Sequence, residues 1–254
     1  LRQTRKKAKI FFLQRIASFL QHHQVLILIC SITAILSGLG FFLLTFLVRA
    51  DLLRSIDFDL TVRIQENVPV RLDEYFIMFG TLAKFQVIVP TLVVLLLLLR
   101  RWVLVVSSLF LLFVAHLLEI VGKEILFQPP PPFMFYRHPT DFIFPDLHTF
   151  DVSSYPSGHS MRVVFVVITL FAVLWSSPKI SFPIRLGLGA GLAGFSFIIV
   201  FSRVSLGEHW TSDVLGGAFL GLMIAAINVI FVQVSWPGKS SSDIPHTRGK
   251  KVAE

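Results

Sequence analysis

The residues of this chain that could do chemistry gather at three places. Lys123 ends an apolar run, Pro156-Ser157-Gly158-His159 opens the next, and Ser202, Arg203, His209 and Asp213 bridge the last two. Ionisable residues are rare at the ends of such runs unless they carry function. His209 and Asp213 stand four residues apart, which puts them on one helical face. A carboxylate bonded to one imidazole nitrogen fixes the tautomer and leaves the other nitrogen free to attack an electrophile. Ser157 is a candidate N-cap, and the amides at Gly158 and beyond would then point outward as an anion site strengthened by the helix dipole. Gly158 lets an anion approach the backbone closely. Lys123 and Arg203 would neutralise phosphoryl oxygens, the main task in phosphoryl transfer. His159 is left to protonate the departing oxygen and later to activate water.

These residues need elements that bring them together across long sequence distances. Of 254 residues 54% are hydrophobic, 26 are Phe and only 15% are charged, against about a quarter charged in soluble proteins. Mean hydropathy is +0.76, and the apolar residues come in long blocks without strand or amphipathic-helix spacing. Six blocks approach the roughly 20 residues that cross a bilayer: Val25–Val48, Tyr75–Leu99, Trp102–Val121, Ser160–Trp175, Ile184–Val204 and Thr211–Val234. The expected fold is therefore an all-α integral membrane bundle of six transmembrane helices. Its domain spans 25–235, between a basic segment 1–24 and a polar tail 236–254. The first block is read as a span, being too long for a cleavable signal and lacking a small-residue cleavage site.

Loop charge orients the bundle. Arg2, Arg5, Lys6, Lys7, Lys9 and Arg15 precede span one, Arg100 and Arg101 follow span two, and Lys179 and Arg185 follow span four. The loops after spans one and three carry more acids than bases. The positive-inside rule then places both termini in the cytoplasm and all three reactive clusters on the outer side. Asp51–Val68 has Leu52, Leu53, Ile56, Leu60 and Ile64 on one helical face, and it reads with Ile10–Leu20 as membrane-surface packing. The net charge of +8 belongs to these loops and termini, and no nucleic-acid recognition motif accompanies it. Cys30 is the only cysteine, so no intrachain disulfide forms.

The pattern resembles the type 2 phosphatidic acid phosphatase (PAP2) superfamily of lipid phosphatases, marked by Lys-x6-Arg-Pro, Pro-Ser-Gly-His and Ser-Arg-x5-His-x3-Asp. The second motif is complete at Pro156–His159, and the third is complete from Ser202 and Arg203 through His209 to Asp213. The likeness covers roughly residues 25–235. It implies His209 as a nucleophile forming phosphohistidine, Asp213 as its orienting group and His159 as acid and base. It also implies Lys123, Ser157, Gly158 and Arg203 as phosphate-binding residues, with no metal or other cofactor. The implied partners are membrane lipids and a lipid phosphate substrate: a polyprenyl diphosphate such as undecaprenyl diphosphate, phosphatidate or phosphatidylglycerophosphate. The implied location is the bacterial plasma membrane, with the site facing the periplasm or cell exterior.

One position departs from the pattern. Where the first motif has Arg, this chain has Pro130, within the run Pro129–Pro132. Arg162, three residues past His159 on its helical face, is the expected substitute, and Arg137 is the second candidate. Without a substitute the chain would be a non-catalytic lipid-phosphate binder; a lipid phosphotransferase would use the same histidines. Simpler readings also exist for single residues. Glu119, four before Lys123, could make a structural ion pair with it. His116 reads as a packing residue, His22 and His23 as interfacial, and His138, His148 and His246 as loop residues. Trp210 reads as an interface anchor or a headgroup contact. A metal site is disfavoured by the neighbouring cations and the lack of an HExxH pattern. Transport is disfavoured because the ionisable residues cluster at one face.

Overall fold

The computed structural model describes residues 24–137, 153–177 and 179–234. The basic segment, the loop carrying Asp141, Asp146, Asp151, His138 and His148, and the polar tail with His246 lie outside the described residues. Among the described residues eight α-helices follow in order: α1 (Gln24–Arg49), α2 (Arg54–Asn67), α3 (Asp73–Leu82), α4 (Phe85–Leu98), α5 (Trp102–Ile125), α6 (Gly158–Ser176), α7 (Phe182–Ser205) and α8 (Thr211–Val234). Helices α1, α5, α6, α7 and α8 are each long and apolar enough to cross a membrane, and the bent pair α3–α4 brings the number to six if it crosses as one broken span. Large apolar side chains such as Leu36, Phe42, Phe110 and Phe197 point outward, as they must where lipid replaces water. The chain is an integral membrane protein, with the all-α architecture expected from its apolar blocks.

The second span differs from the continuous helix expected over Tyr75–Leu99. It breaks after Leu82, and its two parts meet at 57°. Lys84 is extended (φ −60°, ψ 142°) and buried. Its carbonyl accepts the amides of Val87 and Ile88, each at 2.9 Å, so α4 starts on the residue after Ala83, which caps α3. Pro90 lies inside α4, where its missing N–H leaves one helical hydrogen bond unmade.

Helix α2 leaves the apolar Ile56 and Leu60 exposed, the side that membrane-surface packing would use. The buried positions are polar, Asp57 and Thr61. This polar stripe turns toward the ends of α7 and α8, which α2 contacts.

Helix α8 is central and packs on α1, α5, α6 and α7. Its close approach to α6 depends on glycine. A Cβ at Gly217 would collide with the Ser157 carbonyl, and one at Gly221 with the Met161 carbonyl. Small residues at such contacts let membrane helices approach without a hydrophobic driving force between them. Deeper in the bundle, Asn228 of α8 joins three neighbours. Its amide donates to Ser108 at 2.9 Å and Thr169 at 3.1 Å, and it accepts from Ser107 at 2.8 Å.

Candidate active site

The alternation of helices brings the end of α5, the start of α6, the end of α7 and the start of α8 to one end of the bundle. The three reactive clusters therefore meet, although 86 residues separate Lys123 from His209 (209 − 123).

The turn between α7 and α8 is built on Arg203 and Gly207. The Arg203 carbonyl accepts the amides of Glu208 at 3.0 Å and His209 at 3.2 Å. Gly207 has φ +73°, and its Cα lies against the Phe135 backbone. Only glycine fits both conditions. His209 is thereby held over the end of α7. Its Nδ1 lies 3.4 Å from Asp213 Oδ2, at the long end of hydrogen bonding. The same oxygen accepts the Trp210 amide at 2.8 Å, the back-reaching half of a capping box. Asp213 is fully buried, and His209 retains a little exposure. With Nδ1 facing the carboxylate, Nε2 is the nitrogen left to react.

The start of α6 is tied to the start of α8, since the Ser157 amide donates to the Asp213 carbonyl at 3.0 Å. Ser157 occupies the N-cap position, as the sequence predicts, but its hydroxyl makes no cap hydrogen bond. That hydroxyl is fully buried and receives Ser160 Oγ at 3.4 Å. The first-turn amides of α6 have no intrahelical acceptor, the usual state of a helix start. His159 sits in that turn with its Nε2 buried and without a hydrogen-bond partner among the described residues. Arg162, Arg203, Glu208 and His209 are all near enough to act on its charge. His159 thus lies within electrostatic reach of His209 and of both arginines.

Each cation has a carboxylate in this state. Arg203 pairs with Glu208 and also donates to the Phe76 carbonyl at 3.2 Å. Its guanidinium occupies the space a side chain at Gly80 would need. Glu119 is buried among Lys123 at 3.6 Å, Arg162 at 3.5 Å and His116 Nδ1 at 3.1 Å. The ion pair of Glu119 with Lys123 is thus present. His116, read from sequence as a hydrogen-bonded packing residue, is a third partner of that carboxylate. Arg162 and Glu119 both press against Gly158, where any Cβ would strike them. Lys123 and Arg162 accordingly come together beside the phosphate cradle anticipated at Gly158.

Arg137 lies elsewhere. It donates to the carbonyls of Gln65 and Val68 and faces Asp73 at 3.6 Å, joining the end of α2 to the start of α3. Pro130 stands in the extended run after α5, and the preceding carbonyl, of Pro129, accepts Trp210 Nε1 at 2.8 Å. Trp210 is therefore fastened to that run, edge-on to Phe135.

Sequence reasoning missed the part played by α2. Asp57 accepts the Ser212 amide at 2.8 Å and the Ser212 hydroxyl at 2.6 Å, capping α8 from a distant helix. Gln65 donates to the carbonyls of Phe135 at 2.7 Å and Ser205 at 3.0 Å. Asp57, Thr61 and Gln65 recur every four residues, a polar stripe that was visible but overshadowed by the apolar one. Burial pushes the Asp57 carboxyl above the usual carboxylate range, against the pull of the Ser212 hydrogen bonds. Tyr155 was also missed. Its hydroxyl lies 3.0 Å from Thr45 of α1, and burial pushes the phenol up to about 12, so it stays neutral.

Comparison with known proteins places this geometry. Residues 78–237 match the PAP2 superfamily. Phosphatidylglycerophosphatase B of Bacillus subtilis (strain 168) is 36% identical over 115 residues, which cover 43% of this chain and 48% of that relative. The match thus spans about half the relative's length. The crystal structure of a transmembrane PAP2 type phosphatidylglycerolphosphate phosphatase from Bacillus subtilis aligns over 77% of this chain and 94% of its own, with TM-score 0.65 and 22% identity. That of Aquifex aeolicus LpxE aligns over 67% of this chain and 93% of its own, with TM-score 0.50 and 24% identity. At these identities the two structures establish the fold. The family match covers more than half of the residues, and the chain belongs to the PAP2 superfamily.

Proposed function

We propose that this protein dephosphorylates a membrane lipid phosphate or polyprenyl diphosphate through a phosphohistidine at the extracytoplasmic face. His209 Nε2 attacks phosphorus while the bond to the departing oxygen breaks and His159 gives that oxygen a proton. His159 then takes a proton from water, which attacks phosphorus, breaks the P–N bond and releases inorganic phosphate. Asp213 steadies the imidazolium that forms at His209. Lys123, Arg162, Arg203, the Ser157 hydroxyl and the first-turn amides from Gly158 onward receive the phosphoryl oxygens. Arg162 takes the place of the arginine that Pro130 replaces.

The observation that carries this reading is the His209–Asp213 pair at 3.4 Å, tied to the helix start that bears His159 by the Ser157 amide on the Asp213 carbonyl at 3.0 Å. Similarity to a phosphatidylglycerophosphatase makes phosphatidylglycerophosphate the first substrate to try, with phosphatidate and undecaprenyl diphosphate beside it. The test is phosphate release from that panel in detergent, with and without EDTA, by wild type and His209→Ala. Release that survives EDTA and disappears in the variant is expected. Loss with EDTA would overturn the metal-free mechanism. Transfer of the phosphoryl group to a second lipid or sugar would make the protein a phosphotransferase. Lipid binding without release at high protein concentration would make it a binder.

A further inference from the structure

Glu119 is left unused by the chemistry above, yet it lies against the cradle. It is 5% exposed, its carboxylate faces Lys123, Arg162 and His116, and it crosses the face of Gly158 together with the Arg162 guanidinium. A buried carboxylate shared by three cationic or protonatable groups from two helices is a costly arrangement for packing alone, because desolvation of each charge opposes it. Arg162 belongs to α6 and Lys123 to α5. Long basic side chains near a span end tend to extend toward water. Glu119 is the group that draws both cations inward to the same spot. Gly158 has no side chain there, so the guanidinium can lie beside the helix start.

We infer that Glu119 is a positioning residue that holds Arg162, with Lys123, against the Gly158 backbone so that Arg162 meets the substrate phosphate. The inference rests on the phosphatase reading. It explains how a chain with Pro130 in its first motif can keep a guanidinium at the site: the charge comes from α6, and an acid on α5 orients it. The carboxylate does not contact the reacting atoms, so its effect must pass through Arg162.

A double-mutant cycle tests this: kcat and KM for phosphate release by wild type, Glu119→Gln, Arg162→Ala and the double variant, with each protein's melting temperature in detergent. Glu119→Gln is nearly isosteric and removes only the charge. Misplacing a binding group by about an ångström can cost on the order of 100-fold, so Glu119→Gln alone is expected to lower kcat/KM by at least about tenfold per folded molecule. In the Arg162→Ala background the same change is expected to cost less than about threefold, because residues acting through one contact are non-additive. Equal losses in both backgrounds would overturn the inference. So would unchanged kcat/KM in Glu119→Gln, or a lowered melting temperature with full activity per folded molecule; the phosphatase reading would stand in all three cases. A wild-type protein that releases no phosphate would overturn both.

Discussion

Among single residues, the arrangement at His209 is the most legible in the sequence. Four-residue spacing to Asp213 required only that both lie near one helix start, and the structure places them 3.4 Å apart there. The Arg162 placement is also local, since Arg162 and His159 share the first turns of α6. The two candidate substitutes for the missing arginine now separate. Arg162→Ala is expected to lower kcat by about 10²- to 10³-fold, the usual cost of removing one donor from a developing phosphoryl charge. Arg137→Ala is expected to leave kcat within about threefold and to lower the melting temperature, because its guanidinium joins α2 to α3. Steady-state phosphate release and thermal melts of the two variants check this, and the reverse order would reassign the role. What spacing could not disclose is which carboxylate each cation meets. Glu208 follows Arg203 by five, and its pairing depends on the tight turn at Gly207.

At the scale of elements, length and hydropathy were enough for the spans, because a bilayer admits few solutions for an apolar run of that length. They were not enough for the break at Lys84 or for the part played by the polar side of α2. Both depend on what a helix meets at the bundle end, which periodicity alone does not give. The polar stripe of α2 leads to a specific expectation. Asp57→Ala leaves the Ser212 amide at the start of α8 without its acceptor, at about 1 kcal/mol of stability, and loosens the turn that carries His209. The pH dependence follows from the raised Asp57 carboxyl. A group whose pKa is higher folded than unfolded holds its proton more tightly when folded. Its contribution to stability therefore grows as pH falls from neutral through the folded pKa, and is complete below the unfolded value. Asp57→Asn is expected to flatten that part of the melting-temperature profile between neutral and mildly acid pH; an unchanged profile would remove Asp57 as its source. Gly217→Val tests the α6–α8 seam independently. Its side chain would strike the Ser157 carbonyl, and overpacking of this kind costs about 1–3 kcal/mol. A melting temperature equal to wild type would mean that the helices need not approach so closely.

For the whole molecule, the helices gather the reactive groups at one end of the bundle. Our proposal that this end faces outside the cell rests on loop charge alone. The exposed turn at Met134, next to the site, gives a handle on this. In a Cys30→Ser background, Met134→Cys is expected to react with a membrane-impermeant maleimide in intact cells, or in spheroplasts where an outer membrane blocks access. Labelling only after lysis would invert the topology. Each of these expectations bears on one part of the site, whereas the covalent step bears on all of it. The most direct measurement is rapid alkaline quench of the enzyme with a ³²P-labelled lipid phosphate, followed by mapping of the labelled peptide. An acid-labile, base-stable phosphate on His209 that is absent from His209→Ala is the predicted result. Full turnover by His209→Ala, or label on any other residue, would contradict it.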